Sequence, residues 1–426
     1  MPGKTTFIDL FAGCGGLSEG FIQAGFTPLV HVEMDKAACC SLKTRMAFHC
    51  LTKAGKKQIY SDYLSGKIDR DTFYKSVPKD VIDSVINAEI GAETLNDIFS
   101  QMDDIIGKAR LDLIVGGPPC QAYSLVGRAR DAGKMIDDKR NWLFRFYIDF
   151  LKRYKPKYFV FENVTGLLSA RDRNGIKYIE LMRKEFDEAG YIIPEPQIIS
   201  ADNHGIPQSR RRVIIVGTKK GLKPIVLSLP EQKLKTKIKQ ILGDLPSLKA
   251  GDKSNNVVKA KKGCQALQDL GIKGDFPITL HKTRPHNKQD LEIYRLAVQK
   301  WNKADKRDRR LNYNDIPVKL QTHKNKTAFT DRFKVVGGDL DASHTVVAHI
   351  SKDGHYYIHY DIEQNRSISP REAARLQTFP DDYYFESADG KESLTCAFRQ
   401  IGNAVPVYLA KQIAEGIKKD MKNGNN

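Results

Sequence analysis

Cysteine is scarce in this sequence and unpaired. Seven are spread over 426 residues, an odd number, and no two share the C-x-x-C spacing of a thiolate metal site or redox motif. Cys39 and Cys40 are adjacent, which suits neither. No metal is expected, and free thiols in a reducing cytoplasm fit the pattern. Long apolar runs are also missing. None approaches the roughly 18 residues that a membrane span needs, and the N-terminus enters a strand with no signal-peptide pattern. The expectation is a cytoplasmic chain with no membrane partner. There is no internal repeat. Apolar residues make up an ordinary 41%, and the length allows two or three domains with real cores.

Acidic residues fall short of basic ones, 51 Asp+Glu against 69 Lys+Arg, for a net charge of +18. The excess is uneven. Residues 219–365 hold 29 Lys+Arg and 16 Asp+Glu, a net +13 in about a third of the chain. A solvated basic face would account for it, but such concentration favours a polyanionic partner, nucleic acid.

What is present centres on residues 111–124, LDLIVGGPPCQAYS. A short apolar run closed by Gly and Pro reads as a buried parallel strand ending in a stiff loop. That loop presents Cys120 beyond the strand's carboxyl end, where open α/β sheets bind ligands. A buried structural cysteine is the alternative. At the N-terminus, TFIDLF is a strand, AGCGG a Gly-rich turn, and Leu17, Phe21 and Ala24 mark a helix face. Strand, Gly-rich turn and helix open a nucleotide-binding α/β fold. The strand PLVHVEM follows, with Glu33 twenty residues after Gly13, suited either to ribose hydroxyls or to starting a helix.

Residues 45–92 read as a helical surface insertion without chemistry, and Leu95-Asn96-Asp97-Ile98 as the close of the third strand. The long polar stretch 125–139 reads as a mobile lid over Cys120, and a helix follows over 141–154. YFVFENV is a buried strand ending in Glu162-Asn163, a carboxylate that is costly there unless used or paired. Residues 191–200 read as one strand. In QSRRR, at 208–212, Arg210 and Arg212 share a face by the strand period of two, as for an anion or a polarised carbonyl; a surface basic cluster is the alternative. Past Lys219 the texture turns lysine-rich and loop-like. A helix is read at 290–304, strands at 333–336 and 343–350, and a helix capped by Ser369 with Pro370 at its first position. The last helix carries Leu409, Ile413 and Ile417 at intervals of four and should pack back on the first domain. The division expected is 1–218 with 396–426 as one domain and 219–395 as the other.

Taken together, FAGCGG, GGPPCQAYS, ENV, QSRRR, SPREAARLQTFPDDY and QIGNAVP resemble the DNA cytosine-C5 methyltransferase family, in the family's own order and across almost the whole chain. With no regulatory region before the first strand, the likeness is to the stand-alone bacterial or phage type. The resemblance implies an α/β, Rossmann-like S-adenosylmethionine-dependent domain, a smaller target-recognition domain, and a duplex DNA cleft between them, with a monomer acting on DNA. It places donor contacts on Phe11, Gly13, Gly15, Gly16, Glu33, Met34, Asp97, Ile98, Leu143, Asn403 and Val405. It implies Cys120 as the nucleophile at cytosine C6, Glu162 as the proton donor at N3, Asn163 holding base and loop, and Arg210 and Arg212 on the O2 side. The base must leave the duplex stack. Gln121, Ser124 and Thr345 are the DNA contacts it suggests. A role in restriction-modification or as an orphan methylase follows. The competing readings are methylation of a tRNA cytosine, whose Cys-Phe-Thr signature is missing, and a silent DNA-binding protein on the same scaffold.

Overall fold

The computed structural model describes residues 5–119, 142–252, 262–303, 305, 308–323, 326–327 and 330–423. Nine short strands come first in the chain: β1 (Thr6–Leu10), β2 (Thr27–Glu33), β3 (Val85–Asn87), β4 (Leu113–Gly116), β5 (Tyr158–Asn163), β6 (Tyr191–Ile192), β7 (Gln197–Ser200), β8 (Gln208–Ser209) and β9 (Arg211–Lys219). All but β8 form one sheet in the order β3-β2-β1-β4-β5-β9-β6, with β7 also on β9. β1 to β5 are mutually parallel, while β9 runs antiparallel to β5, β6 and β7. The parallel strands therefore end along one edge, and β9 begins there. The strand order reverses at β1, and open α/β sheets bind their ligands at such an edge.

Side chains alternate across the sheet as a strand period of two requires. Ile8, Leu10, Ile114, Phe159 and Phe161 pack on one face under helices α6 (Leu95–Ile106), α7 (Leu143–Tyr154) and α8 (Tyr178–Glu188). Phe7, Leu113, Val115 and Val160 pack on the other, against α1 (Gly16–Gln23) and α14 (Val407–Asn423). Leu409, Ile413 and Ile417 are all fully buried there, as their spacing predicts. A Cβ on Gly20 of α1 would sit 2.4 Å from the Ala410 Cβ and 2.5 Å from the Lys411 amide, so the two helix backbones touch. The α/β fold expected from the sequence is present.

Three expectations are corrected. The third strand is not closed by Leu95 to Ile98. It is Val85–Asn87, paired with β2, and the later residues open α6, whose Ile98, Met102 and Ile106 recur at helical spacing and are buried. The single strand over 191–200 is split into β6 and β7. Pro194 and Pro196 lie in the gap, and neither has an amide to give a ladder. Residues 45–92 are mostly helical as expected, but as an insertion they are packed into the rest of the chain rather than lying on its surface. Helices α2 (Lys36–Lys53), α3 (Lys57–Leu64), α4 (Arg70–Lys75) and α5 (Lys79–Asp83) enclose Phe48, Tyr60 and Phe73, against Phe276 and Tyr384 from far along the chain. Arg45 is buried and pairs with Glu19 at 2.7 Å and Asp382 at 2.8 Å. Lone buried charges are costly, so the pairing fixes how this element seats.

After β9 the chain forms short helices α9 (Ile238–Leu242) and α10 (Gln265–Asp269), the longer α11 (Lys288–Lys303), and then α12 (Pro370–Leu376) and α13 (Leu394–Asn403). Around α11 lies a small core of Ile293, Tyr294, Tyr313, Phe333 and Ile358. The strands read at 333–336 and 343–350 shrink to β10 (Val335–Val336) and β11 (Ser343–His344), and β12 (Ile358–His359) pairs with β10. α12 starts on Ser369 with Pro370 in its first turn, as read from sequence, and the structure adds a capping box to Glu372. Its Ala373 and Leu376 share a core with Cys14 and with α13. No helix among the described residues is long and apolar enough to cross a membrane.

Candidate active site

Glu162 and Arg212 meet at the strand-end edge. Glu162 is the next-to-last residue of β5; Arg212 is the second of β9, which runs the other way and so delivers its beginning to the end of β5. Arg212 Nε lies 2.7 Å from Glu162 Oε1, with both side chains mostly shielded from water. An ion pair this close, shielded from water, holds the carboxylate toward Arg212. The β4 loop passes directly over it. A Cβ on Gly117 would fall 2.7 Å from Glu162 Oε2, so only glycine leaves room. Asn163, buried, donates from Nδ2 to the Pro118 carbonyl at 3.3 Å and accepts the Val164 amide at 2.9 Å. The end of β5 thus holds both the carboxylate and the start of the Pro-Pro loop. Cys120 follows Gly117 by three residues and lies outside the described residues, as do Gln121, Ser124 and the stretch 125–139.

This packing gives a direct test. Gly117→Ala should drive the carboxylate off its Arg212 contact and lower single-turnover rate by about 10²-fold, the scale for an ångström of misplacement. Rapid-quench kinetics beside a thermal melt checks it: a normal rate would show that Glu162 tolerates displacement.

Arg210 behaves differently from Arg212. Arg212 belongs to β9, whereas Arg210 lies between β8 and β9, is almost fully buried, and its Nη1 donates to the carbonyls of Val346 at 2.8 Å and Gly402 at 3.4 Å. Beside it, Gln208 donates to the Leu376 carbonyl at 3.1 Å and accepts the Val346 amide at 2.8 Å. β8 pairs in parallel with β11, and the Thr345 hydroxyl donates to the Ser209 carbonyl. Thr345 therefore stands at the seam where the segment following β11 meets the QSRRR stretch. Sequence singled out Arg210 for the base; its described partners are main-chain carbonyls of two distant segments. The buried role of Gln208 carried no sequence signal, since its partners lie 138 and 168 positions away.

A second group of residues lies at the ends of β1 to β3. Gly13, with φ +56°, has open space where a Cβ would stand, and its amide donates to Glu33 Oε2 at 2.8 Å. The Asp35 amide donates to Glu33 Oε1 at 2.7 Å. Burial pushes the Glu33 carboxyl above its usual range, against these two amide donors. Buried Asp9 is raised well above its usual value, first by burial and then by the neighbouring Glu33. Gly15 and Gly16 are packed instead: a Cβ would meet Leu42 at 2.6 Å in one and the Val405 carbonyl at 2.4 Å in the other. Phe11 is partly buried with φ +55°, and Met34 is 57% exposed, unusual for an apolar side chain. Leu143 opens α7 and is partly buried; Asn403 closes α13, exposed; Val405 is buried. Arg399 of α13 pairs with Asp35 at 2.9 Å, tying that helix to the same corner.

Asp97 is exposed in the first turn of α6, and Ile98 is fully buried in the core. Neither follows a strand. The residues just past β3 are Ala88, Glu89 and Ile90, of which Glu89 is exposed. Sequence reading passed over them because β3 is only three residues long and set among polar helices.

A family model described as C-5 cytosine-specific DNA methylase matches residues 5–78 and 84–419; the short gap falls on α5. The type II methyltransferase M.Bpa9945I of Bacillus paralicheniformis is 37% identical over 456 residues, spanning 98% of this chain and 99% of that one. The type II methyltransferase M.XorII of Xanthomonas oryzae is 29% identical over 435 residues, spanning 97% and 85%. Among solved structures, a chain encoded within an E. coli prophage superposes with a TM-score of 0.62 at 21% identity, covering 98% of this chain and all of that one. The S. pombe Dnmt2 methyltransferase does so at 0.52 and 14%, covering 99% and 100%. At these identities the structural likeness speaks to fold alone.

Proposed function

The chain belongs to the C-5 cytosine-specific DNA methylase family, and we propose that the Glu162–Arg212 pair is the part of its active site that receives the target cytosine. The enzyme is a DNA (cytosine-5-)-methyltransferase, and the family implies S-adenosylmethionine as the methyl donor. The observation that carries the site assignment is the 2.7 Å pair beneath the loop leading to Cys120. Cys120, as thiolate, adds to C6 of an extruded cytosine. Glu162 shares its proton with N3 and so takes up the charge that the addition creates, while Arg212 keeps the carboxylate aimed. Asn163 holds the loop that bears the nucleophile. Arg210 also fixes the seam beside Thr345 through its bonds to the Val346 and Gly402 carbonyls. C5, made electron-rich by the addition at C6, would take the methyl group as its bond to the donor's sulfur breaks, and loss of the C5 proton and of Cys120 then releases 5-methylcytosine.

The residues at the ends of β1 to β3 suit the donor. The open space at Gly13, the Glu33 carboxylate, exposed Met34 and partly buried Phe11 offer a close backbone, a partner for ribose hydroxyls and two apolar faces for an adenine. Asp9, Glu33 and Asp35 crowd acidic groups there, and a cationic sulfonium ligand relieves that repulsion. When bound, the donor supplies an electrophilic methyl group. Leu143, Asn403 and Val405 complete the proposed ring of contacts, with Glu89 in the place first given to Asp97. Glu89→Ala should weaken donor binding about tenfold and Asp97→Ala by less than about twofold. Calorimetry with S-adenosylmethionine decides; the reverse order would restore Asp97.

Duplex DNA is the substrate the family implies. The basic segment after β9, with its core around α11, is the recognition module in this reading, placing phosphates with lysines and reading bases near Thr345. A role in restriction-modification is the reading that relatives named type II methyltransferases support. Transfer of tritiated methyl to duplex DNA, and not to tRNA, tests the reaction. Bisulfite sequencing after expression in a methylation-free host reads the target. Label appearing on tRNA alone would replace DNA by RNA as the substrate.

A further inference from the structure

Asn87 is the last residue of β3, and sequence gives it no role. Its Nδ2 lies 3.0 Å from the Glu33 carbonyl and 2.9 Å from the Met34 carbonyl. Carbonyl oxygens only accept, so the carboxamide must turn its NH2 group to both. The Glu33 carbonyl also receives the Ala88 amide at 3.0 Å and the Cys39 thiol at 3.2 Å. Among the described residues the Met34 carbonyl has Asn87. The side chain hung on that peptide is the one left 57% exposed at the mouth of the crevice. A flexible thioether makes a defined face for a ligand only if its main chain is held.

We propose that Asn87 is a positioning residue for the methyl donor, setting the peptide that carries Met34 and hence the enzyme's affinity for the donor's adenosine half. The proposal rests on the reading of this corner as the donor site. The role belongs to the amide hydrogens and not to the volume of the side chain. Aspartate, of equal size, turns two carboxylate oxygens on two carbonyls and pushes the peptide away.

The test compares Asn87→Ala, Asn87→Asp and Met34→Ala in the full chain, measuring KM for S-adenosylmethionine, kcat, and Kd for duplex DNA. Asn87→Ala is expected to raise donor KM about fivefold, the loss of one net hydrogen bond, with kcat and DNA Kd within about twofold. Asn87→Asp should raise it further, which a space-filling role would not produce. An Asn87→Asp enzyme with the wild-type KM, while Met34→Ala raises it, overturns the proposal alone. A wild-type KM in Met34→Ala removes the donor reading of the corner, and the proposal falls with it.

Discussion

Replacing Glu162 by Gln should slow single-turnover methyl transfer by about 10³-fold while donor affinity stays within about twofold. Glutamine keeps the shape that fits over Gly117 but cannot give or take the proton at N3, and general acid–base groups contribute about 10²–10⁴. It also loses the charged contact. Arg212 Nε faces Glu162 Oε1 at 2.7 Å, so the glutamine must turn its oxygen, not its NH2 group, to the guanidinium. Its NH2 then points to the other side, where Gly117 leaves no slack. Donor affinity is spared because Glu33 and Gly13 lie at other strand ends. Rapid mixing of enzyme, donor and excess duplex measures the step. A rate within tenfold of wild type would remove Glu162 from proton transfer.

Replacing Cys120 by Ala should abolish turnover, by at least about 10⁴-fold, with duplex binding preserved. No neighbouring group can substitute for a sulfur that must bond to carbon, whereas phosphate contacts come from elsewhere on the chain. A duplex whose target carries fluorine in place of the C5 hydrogen sharpens the test. The last step requires that hydrogen to leave as a proton, so the fluorinated ring stays bonded to Cys120. Mass spectrometry should find that conjugate with the parent enzyme and none with the alanine variant. A conjugate in both would move the nucleophile to another residue.

The strand ends were legible because each motif pairs a short apolar run with glycine, proline or a lone polar residue, and that contrast marks both a buried strand and its exit loop. Glu162 after YFVF and Gly13 after FIDLF needed no structure to be noticed. The third strand was not legible: Val85-Ile86-Asn87 is too brief to show a period and stands among polar helices. Nor was the direction taken by Arg210. Period two placed it beside Arg212, but its carbonyl partners are 136 and 192 positions away, and nothing local announces them. The same distance hid the docking of residues 45–92, whose aromatic partners Phe276 and Tyr384 lie in the other half of the chain.

The contact of α1 with α14 joins the opening turn of the chain to its final helix across the face of β1, β4 and β5. Until α14 emerges from the ribosome, Phe7, Val115 and Val160 are only partly covered, by α1, and such exposed apolar surface invites aggregation. The Glu162–Arg212 pair is complete in sequence well before that cover arrives. A chain cut short of α14 should therefore expose this apolar face and lose the sheet that carries the pair.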